Sequence, residues 1–242
     1  MKLQETLWSL IAVLSTIVVT STVKGVTVYT DRTSFESSAF ALSLEDFESA
    51  DVSDGSISDF FSAPLDASTD NVVFSPGDIV SGISFSENHA GIKLLQVIGR
   101  NAPLFGTTVN SKHLTFQECN AGLEINLPNG NSAFGFDLFD FVGNVALDIS
   151  LFSPSGIIRM ETLSLPNQPA TGPIFVGFTS AMDDIVRVTF DSQSNHYYSV
   201  DNVAFGHAVP TPKPSSLLLM VVGPLVYVII RRRRGTLKSV KR

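Results

Sequence analysis

Apolar residues recur at every second position through much of this chain. Val145, Leu147, Ile149 and Leu151 alternate with Ala146, Asp148 and Ser150; Val186, Val188 and Phe190 alternate with Arg187, Thr189 and Asp191; Leu123, Ile125 and Leu127 alternate with Glu124 and Asn126. Successive side chains of a strand point to opposite faces, so a period of two makes one face apolar and the other polar, the signature of half-buried antiparallel sheet. Turn sequences separate the runs at Pro128-Asn129-Gly130-Asn131, Gly143-Asn144 and Pro154-Ser155-Gly156. Further strands are expected at residues 26–30, 72–75, 79–86, 92–98, 133–141, 157–163, 174–178 and 197–205. Many short strands at even spacing predict an all-β fold, an antiparallel β-sandwich of the jelly-roll kind.

One short N-terminal helix is expected. Thr33-Ser34-Phe35-Glu36 has the Ser/Thr-x-x-Glu form of a capping box, and the run to Phe40 would pack Phe35 and Phe40 on one sandwich edge. Residues 48–71 are rich in Asp and Ser with few alternating apolar positions, and read as a long surface loop.

The two ends have a different character. Lys2, an apolar stretch over 7–19 and small or polar residues through Gly25 form a signal-peptide pattern over 1–25, with exits for signal peptidase after Ser21 or Gly25. The body, 26–208, is long enough for one domain with a sizeable core. Residues 209–216 are a Pro-rich linker, 217–230 an apolar membrane helix interrupted by Gly223-Pro224, and 231–242 a basic cytoplasmic tail opening on Arg231, Arg232, Arg233 and Arg234. A full hydrocarbon crossing takes about 20 residues of helix, and snorkelling arginines extend a shorter one while orienting it basic side in.

Charge follows the same division. The body carries 22 acidic and 6 basic residues, whereas the chain from Val209 onward has 8 basic residues and no acidic one. An acidic body excludes nucleic acid, whose phosphates need a basic footprint, and suits solubility outside the cell and divalent cations. A single cysteine, Cys119, leaves no intrachain disulfide.

Pro212, Lys213 and Pro214, then Ser215-Ser216-Leu217, the apolar helix and the arginine cluster resemble the tail of the PEP-CTERM family of exported bacterial proteins. The family usually has glutamate where this chain has Lys213. The resemblance implies export to the envelope or extracellular matrix of a Gram-negative-type bacterium, a transient inner-membrane anchor, and recognition by exosortase, a sorting enzyme of bacteria that make extracellular polysaccharide. Tyr29-Thr30-Asp31-Arg32 with Phe35, Asp46-Phe47-Glu48, Phe134-Gly135-Phe136-Asp137, Gly177-Phe178 and the segment 199–206 are similar to sandwich domains often attached to such tails. Those domains supply a fold and a location, not a reaction.

No Gly-x-Ser-x-Gly elbow, His-Glu-x-x-His pair, phosphate loop or Cys-x-x-Cys occurs. His89, His113, His196 and His207 are scattered and read as surface or turn histidines, and Cys119 as a small core or edge residue. Asp46 with Glu48 has the composition of a glycosidase carboxylate pair. Tyr197 and Tyr198 are either a stacking face or ordinary strand residues. Many carbohydrate-binding jelly rolls carry Phe-Glu near the first strand and Asp-Asn on the last, and Phe47-Glu48 with Asp201-Asn202 resembles that pairing; it implies a structural calcium ligated by Glu48 and Asp201. The expected function is that of a non-catalytic cell-surface or matrix protein, sorted through its tail and associated with extracellular polysaccharide. A secreted polysaccharide-active enzyme and a permanently anchored, protein-binding envelope protein are the alternatives.

Overall fold

The computed structural model describes residues 25–61, 63–87, 95–103, 108–116, 122–140, 145–165, 172–181, 184–192 and 198–210. The signal-peptide pattern short of Gly25, the linker beyond Pro210, the predicted membrane segment and the basic tail lie outside them. Among the described residues no helix is long and apolar enough to cross a membrane.

In chain order the elements are β1 (Val26–Tyr29), α1 (Arg32–Ser37), β2 (Ala39–Glu45), β3 (Leu65–Asp66), β4 (Ser84–Glu87), β5 (Leu95–Ile98), β6 (His113–Phe116), β7 (Leu123–Asn126), β8 (Ala133–Asp140), β9 (Val145–Ser153), β10 (Gly156–Leu165), β11 (Ile174–Ser180), β12 (Arg187–Ser192) and β13 (Tyr198–Ala208). Among the described residues they form two sheets. One runs β1-β11-β8-β13-β6-β5, with β2 also paired to β13; the other runs β10-β9-β12-β7-β4-β3. Every paired ladder is antiparallel.

The alternation explains the layering. Phe134, Phe136, Val176, Phe178 and Val200 from the first sheet share one core with Leu123, Ile125, Leu147, Ile149, Val188 and Phe190 from the second. The Phe136 and Phe190 rings meet edge to face at 4.9 Å across that core. Each fully buried Phe or Leu contributes roughly 1.5–3 kcal/mol relative to exposure, so this inner layer is the main source of stability. The fold is therefore an antiparallel β-sandwich.

The first sheet is covered on its outer face as well. Phe35 of α1 is fully buried with Ala39, Ala133, Phe175 and Ala204. It lies over Gly135 and Gly177, which are register partners on β8 and β11. A Cβ at Gly177 would come 2.7 Å from Phe35 Cδ2, and one at Gly135 2.9 Å from Phe175 Cζ, so the two glycines make the seat for the ring.

Several expectations are corrected. The helix cap is Asp31, whose carboxylate accepts from Thr33 N and Ser34 N, not Thr33 paired with Glu36. Its carboxyl pKa is lowered chiefly by the hydrogen bond from Ser34. Asp31, two residues before Thr33, already satisfies two of the orphan N–H groups, so the box has no role. The helix stops at Ser37 and β2 begins two residues later; Phe40, on β2, is 48 % exposed rather than packed with Phe35. Residues 72–75 form no strand: Asn71 Oδ1 accepts from Val73 N and Phe74 N, a turn that buries both side chains. The segment 48–71 is not merely a surface loop. It buries Ala50, Val52, Phe61 and Leu65, contributes β3, and bridges β5 through Ile57–Ile98 and Phe61–Leu95.

Candidate functional site

Glu48 and Asp201 both lie against the segment that leads into β6. Asp201 is 1 % exposed at a bulge of β13, where the register with β8 shifts between Asp201 and Ala204 and Asn202 takes φ 48°. Its Oδ2 accepts from Ser111 Oγ at 2.7 Å and its Oδ1 from Asn202 N at 2.7 Å. Burial pushes its pKa up to about 7, against the lowering effect of those two hydrogen bonds; the nearby charges of Asp137 and Glu48 add to the rise. The bulge is braced from outside. Arg32 donates to Asn202 O at 3.0 Å, pairs with Asp137 at 3.1 Å and lies over the Phe175 ring, while Asn202 Nδ2 donates to Asp137 at 2.9 Å.

Glu48 has other partners. Its Oε2 accepts from Arg100 Nη2 at 2.6 Å and Nε at 3.0 Å, and its Oε1 from Lys112 N at 3.1 Å. The Lys112 ammonium in turn donates to the carbonyl oxygens of Glu48, at 3.1 Å, and Ala50, at 2.5 Å. Calcium needs six to eight oxygens, and the oxygens around Glu48 that it would recruit are already held by two protein cations. The donor set as folded does not fit a calcium ion. Among the described residues no three His, Cys, Asp or Glu side chains converge as a metal cage.

The other sequence candidates scatter. Asp46 is exposed and accepts from Glu48 N in its own turn, so the two carboxylates of the glycosidase reading are separately engaged. His113 is buried, not a surface histidine. Burial takes its pKa down to about 4, and its ring lies against Phe139. Tyr198 is 3 % exposed with its hydroxyl on Phe190 O, an ordinary core residue and no stacking face. His207 is exposed and stacks on Phe40 at 5.3 Å. Pro212, Lys213, Pro214, Arg231, Arg232, Arg233, Arg234, Cys119, His89, His196 and Tyr197 lie outside the described residues. Glu45, passed over in the sequence, is a buried carboxylate that accepts from Phe47 N and Val80 N, both at 2.8 Å, and pins the start of the 48–71 segment. Nothing in the run Glu45-Asp46-Phe47-Glu48 singles it out beforehand.

A cleft of about 610 Å³ opens in that same segment. Phe61 and Phe74, edge to face at 5.8 Å, are both buried beside it. Its exposed apolar lining includes Phe60, at 42 %, Val72, at 82 %, and Pro64. Its polar lining includes Asp66, Thr69, Asp70 and Asn71. The Asp66 carboxylate accepts from Ser68 N and Ser68 Oγ at 2.8 and 2.7 Å, and the Ser68 side-chain bond is the main reason its pKa is lowered. It is therefore an ionised acceptor on a shaped turn. Phe60-Phe61 within an Asp/Ser-rich stretch was the one available sequence signal, since apolar pairs are out of place in a solvated loop.

No protein-family model and no curated relative matches the chain. Some solved structures are similar in part. A carbohydrate-binding module specific for non-crystalline cellulose matches at 15 % identity over 53 % of this chain and 88 % of its own, with a TM-score of 0.33. A family 29 carbohydrate-binding module matches at 14 % identity over 55 % and 98 %, with a TM-score of 0.28. A family 11 module from Clostridium thermocellum, solved with a β-1,3-1,4-mixed-linked tetrasaccharide, matches at 12 % identity over 61 % and 96 %, with a TM-score of 0.23. Likeness this slight fixes neither the fold nor the ligand of this chain.

Proposed function

We propose that this protein is an exported, non-catalytic surface or matrix protein whose jelly-roll-like body associates with extracellular polysaccharide. In this reading signal peptidase removes the leader, the tail holds the chain briefly in the inner membrane, and exosortase sorts it through Pro212-Lys213-Pro214 and the arginine cluster to the envelope or matrix of a Gram-negative-type bacterium.

The observation that carries the binding half is the cleft at Phe60 and Val72. A sugar offers a C–H face to an apolar or aromatic surface and hydroxyl donors to its neighbours. Phe60 and Val72 supply the first partner, and the carboxylates and hydroxyl of Asp66, Asp70 and Thr69 supply acceptors for the second. Ionised acceptors on a body with 22 acidic and 6 basic residues favour a neutral, hydroxyl-rich polymer over a uronic or sulfated one. Affinity electrophoresis of residues 24–209, which form one compact unit, through gels cast with neutral or acidic polysaccharide tests this. Retardation by a neutral polymer is the expected result. Equal mobility in every gel, or release of reducing sugar, would sink the non-catalytic binding reading.

A further inference from the structure

The ends of the two sheets are closed in different ways. In the first sheet β5 is bridged by Ile57 and Phe61, β1 has only four residues, and the extended course of β2 is broken at Ala41, which takes φ 51°. In the second, β3 has two residues, whereas β10 has ten and pairs only with β9 among the described residues. The β10 register shifts between Ile157 and Arg159 and then runs unbroken from Arg159 to Leu165. The outer edge of that run presents backbone N–H and C=O groups as a template for a further strand. Ile157 and Met160 beside it are 56 % and 63 % exposed. Natural edges are usually blunted by lysine, proline or bulges. Strand β10 contains no lysine or proline, and its bulge leaves the run from Arg159 regular.

We propose that this edge pairs with β10 of a second copy of the chain, antiparallel about a two-fold axis at Met160. The charges choose that partner and that register. Arg159 and Glu161 lie two residues apart on one face of the strand, with Arg159 Nε and Nη2 donating to Glu161 Oε2 at 3.0 and 2.5 Å and both side chains partly exposed. A two-fold axis at Met160 sets Arg159 opposite Glu161 of the second copy, and does so twice by symmetry. Each carboxylate then stands between two guanidinium groups, and Met160 meets its own counterpart on the other face. Moving the axis to residue 159 or 161 sets arginine against arginine or glutamate against glutamate, and like charges directly opposite are destabilising. The edge is therefore its own complement. A two-fold pairing of this kind closes on itself, joining two six-stranded sheets without starting a filament. So short a ladder falls below the roughly 1,200 Å² at which standard-size interfaces begin, so a micromolar dissociation constant is expected. Sugar binding is independent of this edge, because the Phe60 cleft borders β3 at the opposite end of the same sheet.

The test is sedimentation velocity of residues 24–209 from about 1 µM to about 500 µM, on the wild type, Arg159→Glu, Glu161→Arg and an equimolar mixture of the two variants. The wild type should form a dimer at the upper concentrations. Each variant alone faces like charges at both positions, and its dissociation constant should rise about ten-fold or more. The mixture should restore dimers, because the acidic edge of one variant then faces the basic edge of the other. A wild type that stays monomeric at every concentration would overturn the proposal outright, and that arm needs no variant to fold. Variants that dimerise as the wild type does would put the contact elsewhere and overturn it equally. So would variants that urea midpoints show to be folded, yet whose dimer is lost alone and not regained on mixing. None of these outcomes bears on sugar binding at Phe60.

Discussion

Ser111 Oγ donates to Asp201 Oδ2 at 2.7 Å, tying the approach to β6 to the bulge of β13, and His113 Nδ1 lies 3.1 Å from the carbonyl of the same serine. One short segment thus joins two buried titratable groups whose pKa values move in opposite senses. Burial raises Asp201 from 3.8 to about 7 and lowers His113 from 6.5 to about 4.

Opposite stability slopes should result. The folded state holds the Asp201 proton more tightly than the unfolded chain, so that contribution is full below pH 3.8 and falls as pH rises toward 7. The folded state disfavours protonated His113, so its contribution is full above pH 6.5 and is lost as pH falls toward 4. Each slope is at most ~1.4 kcal/mol per pH unit, and they offset each other where the windows overlap. Asp201→Asn keeps both hydrogen bonds, with its Oδ1 accepting from Asn202 N and its amide donating to Ser111 Oγ. It should leave the His113 slope uncovered, so that urea midpoints drop more steeply from pH 6.5 to 4 than in the wild type. Superimposable pH profiles for the two proteins would count against this account.

The seat of Phe35 gives a packing prediction. Gly177→Ala would push a methyl to 2.7 Å from Phe35 Cδ2 and 2.9 Å from Phe175 Cε1. Neither ring has free space, because Phe35 is fully buried and Phe175 nearly so. Overpacking of this kind costs about 1–3 kcal/mol. Phe35→Leu should recover part of the loss, so a double-mutant cycle by urea unfolding should give a favourable coupling between the two sites. Simple additivity would mean that the ring does not rest on Gly177.

Legibility in the sequence followed the physics of each part. Strands β7, β9 and β12 were readable because an apolar face packs on the core and the other face carries mainly polar residues, which writes the period of two directly into Leu123–Leu127, Val145–Leu151 and Val186–Phe190. Strand β2 escaped because Ala39, Phe40, Ala41 and Leu44 do not alternate cleanly: Ala41 takes φ 51° and Phe40 and Leu44 are both half exposed. Strand β6 escaped because His113 and Thr115, polar residues at its outer positions, are buried too. Sequence placed Asp201 on the last strand correctly. It could not show that Glu48 would be held by Arg100 and Lys112, 52 and 64 residues away, since ion pairs of that span leave no local pattern. The Phe60 cleft was missed for the converse reason: its acceptors are turn residues whose ordinary use is to stabilise the turn itself.

The sorting reading makes its own prediction at Lys213, where the resembled tails have glutamate. In a host with exosortase, Lys213→Glu should shorten the half-life of the tail-bearing form, read by mass spectrometry of both termini, with the mature chain starting near Thr22 or Val26. Neutral residues in place of Arg231, Arg232, Arg233 and Arg234 should be more damaging, because they remove both the stop and the orientation signal. Full-length protein with Met1 intact in the cytoplasm would refute export altogether.

The cleft is best tested at Phe60. Its ring is 42 % exposed and makes no contribution to the central core, so Phe60→Ala should leave the urea midpoint within about 0.5 kcal/mol of the wild type. The same change removes the exposed aromatic surface of the lining and leaves Val72 and Pro64 in place. Losing that contact with a sugar face should weaken binding by about 1–2 kcal/mol, roughly five- to thirty-fold. Asp66→Asn should weaken it less, since the amide oxygen still accepts from Ser68 N and Ser68 Oγ while the amide N–H can donate to a hydroxyl oxygen in place of the lost acceptor. Phe61→Ala is the contrasting case: that side chain is 7 % exposed and packs on Phe74, so its removal should lower stability by about 3–5 kcal/mol. Retardation in a neutral polysaccharide gel, measured beside the unfolding midpoint, separates the two effects. If Phe60→Ala binds as the wild type does, the sugar face lies elsewhere, and the exposed Phe40–His207 stack on β2 and β13 becomes the next surface to test.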